Sequence, residues 1–189
     1  MKKILISSLI IISVITIGIC MFCKITEGKR FIKQCYFNNK NEFNYIAEFF
    51  LNNYEKSVNR IRYDVKSNEL AFYYCDGNNT VAKCKDEYIY TKIIELKNKY
   101  REYSDYEILN YIDAYYDEKG KILLIIPLQR TQIKNKSADD ADVHVRYLLY
   151  IDEDYSGKSS TLSIDNNGSI EESPFYEKWY FWSKNFYSG

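Results

Sequence analysis

From Ile4 to Cys23 the chain runs for twenty residues without a charged side chain, ILISSLIIISVITIGICMFC, directly after Lys2 and Lys3. As a helix rising about 1.5 Å per residue, such a run measures roughly 30 Å, the thickness of bilayer hydrocarbon. Its polar residues, Ser7, Ser8, Ser13 and Thr16, are of the kind that bond back to their own helix. The segment is therefore expected to span a membrane or to direct the chain to one. A cleaved leader needs a short apolar core followed by small residues, and no A-x-A-like site follows here. A lipidated cysteine needs a small residue before it, whereas Ile19 precedes Cys20. An uncleaved signal anchor, residues 1–29, fits best and leaves residues 30–189 as one domain.

Charge bears on which side that domain occupies. Lys2 and Lys3 precede the run, but Lys24, Lys29, Arg30 and Lys33 follow it, and positive charge tends to stay in the cytoplasm. The short tail with two lysines is nevertheless the arrangement of export signals. A single-pass protein of the cell membrane, its domain outside, is the favoured reading, and a cytoplasm-facing domain is the rival. Residues 1–29 carry a net charge of +3 and the whole chain is neutral, so residues 30–189 are mildly acidic. No basic footprint for nucleic acid results. Twenty Tyr and ten Phe, with abundant Ile, Lys and Asn, follow AT-rich codon usage, so the number of tyrosines is not itself evidence of function.

Past the anchor the hydrophobic period locates the elements. Phe43, Ile46, Ala47, Phe50, Leu51 and Tyr54 form one helical stripe. Ile61, Tyr63 and Val65, then Leu70, Phe72 and Tyr74, alternate with polar residues around Ser67-Asn68 and predict a hairpin, with TVAKC a third short strand. Ile89, Ile93, Leu96 and Tyr100 mark a second helix. Residues 110–117 and 121–130 flank Asp117-Glu118-Lys119-Gly120, a second hairpin whose Gly suits a positive φ. The apolar run KILLIIPLQ predicts a central strand covered on both faces, with Pro127 at its end or at a bulge. Residues 131–142 read as a polar loop, VHVRYLLYI as an alternating strand, and Thr161–Ile164 with Ser169–Glu172 as a further hairpin. The expected class is α+β: one N-terminal transmembrane helix, then a single domain with a mostly antiparallel sheet and two or three helices.

Few residues suggest chemistry. Asp139, Asp140, Asp142 and His144, the sole histidine, have the composition of a metal site but lack the glycine and spaced glutamate of an EF-hand loop. With one imidazole, a nucleophilic triad would depend on His144. No P-loop, G-x-S-x-G or G-x-G-x-x-G occurs, and no cofactor is implied. Cys75 and Cys84 flank CDGNNTVAKC, which reads as a hairpin, and are a candidate disulfide for an exported domain. In EKWYFWS an extended chain turns Trp179 and Phe181 to one side and Tyr180 and Trp182 to the other. A terminal strand that closes the sheet, its rings sealing the core, is expected, with Trp179, Tyr180 and Trp182 the candidate ligand or partner surface.

The apolar span, NNKNEFNYIAEFFL at 38–51 and EKWYFW at 177–182 resemble a loose group of small, uncharacterised, membrane-anchored extracytoplasmic proteins of low-GC Gram-positive bacteria. The resemblance implies an exported domain and carries no reaction or catalytic residue. The expected function is thus a non-catalytic binding or accessory role in the cell envelope, of an immunity-like kind, with a protein or envelope component as partner and the membrane engaged through residues 4–23. The alternative is an envelope hydrolase using acidic residues near the 139–144 loop.

Overall fold

The computed structural model describes residues 28–104, 108–132, 143–152, 168–170 and 174–186. Among them three α-helices pack on an antiparallel sheet. Helix α1 covers residues 28–38, α2 Lys40–Asn52 and α3 Glu87–Tyr100. The strands are β1 (Val58–Asp64), β2 (Glu69–Tyr74), β3 (Asn79–Lys83), β4 (Tyr111–Tyr116), β5 (Ile122–Gln132), β6 (Val143–Ile151), β7 (Gly168–Ile170) and β8 (Trp179–Phe186). Their order across the sheet is β3-β2-β1-β4-β5-β6-β8-β7, and every adjacent pair is antiparallel. This is the α+β arrangement expected. No described helix is long and apolar enough to cross a membrane, and residues 4–23 lie outside the described residues.

Period and burial agree along most elements. In α2, Phe43, Ile46, Ala47 and Phe50 are buried as the stripe requires, but Phe49, one position off it, is buried too. Helix α3 buries Ile89, Ile93, Leu96 and Tyr100, and Asp86 caps its first turn by accepting the Ile89 amide at 3.1 Å. The sequence reading missed α1. Ile32, Cys35, Tyr36 and Asn39 stand at i, i+3, i+4 and i+7 and are all buried, so this helix packs its own stripe into the core.

The register sorts side chains onto two faces. On the helix-bearing face lie Ile61 and Tyr63 of β1, Ile112 and Ala114 of β4, Ile122, Leu124 and Ile126 of β5, Leu148 of β6, and Trp179 and Phe181 of β8. The other face gathers Leu123, Ile125, Val145, Tyr147, Leu149 and Trp182. Strand β5 is thus buried on both sides from Ile122 to Leu128, as its unbroken apolar run predicts. The ladder shifts register between Pro127 and Gln129, so the proline sits at a bulge where its missing N–H does least harm. Gly120 takes φ +75 in the β4–β5 turn.

Two expectations change. Strand β8 does not close the sheet: β6 pairs on one side of it and β7 on the other. The expected 131–142 loop begins late, because Thr131 and Gln132 still pair with His144 and Val143, and 133–142 lie outside the described residues. So do 161–164, the first arm of the expected last hairpin.

Candidate functional site

The opposite margin of the sheet, β3, has all five residues exposed, with Val81 at its centre 62% exposed. Two bonds set the phase of its ladder. The Tyr74 amide donates to the Asn78 carbonyl at 3.0 Å, and the Cys84 amide to the Asn68 carbonyl at 3.0 Å. With the pairings Phe72–Thr80 and Leu70–Ala82 between them, hydrogen bonds to β2 fall at Thr80 and Ala82. The N–H and C=O groups of Asn79, Val81 and Lys83 consequently point away from the sheet.

Natural sheets usually blunt such an edge with proline, a bulge, an inward charge or a covering element. Strand β3 has no proline and pairs with β2 without a register shift. Its one charge, Lys83, is drawn back over its own sheet, 3.0 Å from Glu69 and 2.7 Å from the Ser67 carbonyl. Beside it, on the helix-bearing side, lies an open groove of about 810 Å³. Leu70, Phe72 and Ala82 line it from the sheet, and Tyr45 and Phe49 from α2. Tyr45 is held by a 2.7 Å bond from its hydroxyl to Asp86. Buried Cys84 also lines the groove, and burial raises its thiol pKa, so it is a poor nucleophile there.

The residues singled out by sequence disperse. Trp179 is a core residue, 1% exposed, ringed by Tyr36, Phe43 and Tyr150, with its indole N–H donating to Asn44 at 3.1 Å. Trp182 stacks on Tyr147 at 4.5 Å on the other face, where Tyr180 also lies, half-buried. The three rings therefore cannot act as one surface. His144 bonds through Nδ1 to Asn185, and burial holds its pKa below the usual value. Asp139, Asp140 and Asp142 lie outside the described residues, so of the loop a hydrolase would use only His144 is placed. Among the described residues no cluster of three His, Cys, Asp or Glu side chains could hold a metal.

The Cys75–Cys84 bridge is corrected: both are free thiols, Cys75 exposed and Cys84 buried. Cys84 bonds across to Asn68, at the far end of the hairpin from Cys75, seven residues along β2. At about 3.3 Å per residue that separation is roughly 23 Å, beyond any disulfide.

One polar cluster escaped the sequence reading. On the helix-free face, buried Asp113 of β4 accepts bonds of 2.8 to 3.0 Å from both Arg60 and Arg62 of β1. The Arg60 guanidinium lies near the Tyr73 and Tyr115 rings, at 5.0 and 5.2 Å, and Arg62 lies 4.7 Å from Tyr111. The carboxylate raises the already high pKa of Arg62. The only sequence signal was charge at alternate positions of one strand and one acid on another, whose adjacency depends on the β1–β4 pairing. Comparison with protein-family models, curated proteins and solved structures gives no match.

Proposed function

We propose that the chain is a membrane-tethered, non-catalytic binding domain of the cell envelope that docks a protein strand along β3. The observation that carries this reading is the outward row of backbone groups on Asn79, Val81 and Lys83, uncovered on an edge with both faces exposed. Strand addition draws its affinity from such main-chain groups. Three residues offer six hydrogen bonds at about 1 kcal/mol net each, offset by the cost of association, which suits a weak contact strengthened by confinement at a membrane. Residues 4–23 supply the tether in this reading.

The test is selection of unstructured peptides from a random library against the full chain in lipid vesicles. Selected peptides should slow amide exchange at Asn79, Val81 and Lys83, and Val81→Pro, which removes an outward N–H and no bond to β2, should abolish their binding. Peptides that bind equally well to the proline variant would refute the reading.

A further inference from the structure

The outward groups of β3 are complementary to themselves, and we infer that the strand docked on this edge is β3 of a second copy of the chain, paired antiparallel about Val81. The inference rests on β3 being a docking edge and goes further by naming its occupant. Centred on Val81, the pairing sets Asn79 against Lys83 of the second copy and Thr80 against Ala82 of the second copy. Residues 79, 81 and 83 are the positions whose N–H and C=O groups face outward, so all six groups on each edge find partners in this one register.

Within β3 no like charges meet. Val81 meets Val81, an apolar pair in place of two exposed side chains. Lys83 faces an amide and is already paired to its own Glu69. Carried past the strand end, the register sets Gly77 against Lys85 of the second copy and Asp76 against Asp86 of the second copy, a like-charge pair outside the paired strand residues. All five β3 side chains are exposed, so none has to be uncovered for a second strand to pair.

The symmetry also suits a tethered chain. The dyad of an antiparallel pair runs perpendicular to the sheet, so both copies keep their helices on the same side. Gly28 lies on that side, packed against the Arg146 side chain, whose neighbours Leu148 and Tyr150 belong to the helix-bearing core. Both copies therefore present Gly28 on one side of the joined sheet, as two anchors in one bilayer require. A dyad in the plane of the sheet would send them to opposite sides.

The experiment uses the full chain in vesicles, with Cys75→Ser to remove the thiol exposed among the described residues and Cys20→Ser and Cys23→Ser to remove those before residue 28. Val81→Cys places two thiols across the dyad, where Cα atoms of a hydrogen-bonded pair stand about 5.5 Å apart, within disulfide range. Thr80→Cys in the same background is the baseline, because position 80 faces position 82 and not itself. The expected result is that oxidation converts most of the Val81→Cys chain to a covalent dimer while the Thr80→Cys chain stays at baseline, and that Val81→Lys, which sets two ammonium groups face to face, halves the mass of the particle in detergent. Should the Val81→Cys chain stay at baseline while library peptides still protect the amides of 79, 81 and 83, the edge binds a foreign strand and the self-pairing inference is overturned alone. Should those amides exchange freely with no cross-link, both readings fall. Circular dichroism of each variant guards against a mere loss of fold.

Discussion

Replacing Trp179 by alanine tests the packing described here at its most connected point. The indole is 1% exposed and meets Tyr36 of α1 at 5.2 Å, Phe43 of α2 at 6.1 Å and Tyr150 of β6 at 5.1 Å between ring centroids. Burial of a large aromatic ring, about 150–250 Å² at 25 cal/mol per Å², contributes roughly 4–6 kcal/mol, and Trp→Ala substitutions cost about 3–5. With three ring partners lost together, Trp179→Ala should cost about 5 kcal/mol. Trp179→Phe keeps the ring contacts and loses the bond to Asn44, whose Oδ1 still accepts from Tyr36 at 3.4 Å. No acceptor is orphaned, so the cost should be near 1–1.5 kcal/mol. Trp182→Ala, which gives up one stacked partner, should fall between them at about 3 kcal/mol. Urea unfolding followed by far-ultraviolet circular dichroism measures all three. A cost below about 2 kcal/mol for Trp179→Ala, or a Phe variant as damaging as the Ala variant, would refute the claim that this ring joins α1, α2 and the sheet.

Four further outcomes are expected. Asn39→Ala should lower stability by about 2–3 kcal/mol in the same urea assay, because buried Asn39 donates to the Cys35 carbonyl and the Tyr100 hydroxyl and accepts from Lys99. Iodoacetamide at pH 8 should label Cys75 rapidly and Cys35 only on unfolding, since Cys35 is buried and its thiol pKa is pushed up to about 12, chiefly by burial. Burial depresses the His144 pKa in the folded state, so the unfolded chain binds the proton first. Stability should therefore be full above about pH 6.5 and decline as pH falls below it, and His144→Asn should flatten that decline in thermal melts between pH 7 and 5. Gly28→Ala should change stability by less than about 1 kcal/mol in urea, since the Cβ, built 2.1 Å from Arg146 Nε, displaces only the end of a flexible side chain and the helix gains from alanine.

Elements whose pattern is local were legible in the sequence. The stripes of α2 and α3, the apolar run of β5 with its proline at a bulge, and the alternation of β6 all match the structure because each period reflects one or two buried faces. Helix α1 escaped because its stripe contains Cys35 and Asn39, a thiol and an amide, among basic neighbours. Phe49 escaped because α2 is covered over more than one stripe. The exposed edge was out of reach for a different reason: β3 becomes an edge only because β1 pairs with β4 across the intervening α3, a long-range choice. The cysteine pair failed on phase, since the turn falls at residues 74–78 and not midway between the thiols.

The burial of Gly28 fixes how far the domain could travel. From Cys23 to Gly28 the backbone advances five residues, a reach of at most about 18 Å, and at Gly28 it is already packed on Arg146. A chain anchored through residues 4–23 would ride on a short leash, close to the lipid headgroups. Its encounters would then be those of neighbours diffusing in two dimensions, where even a feeble sheet-to-sheet contact meets a high local concentration.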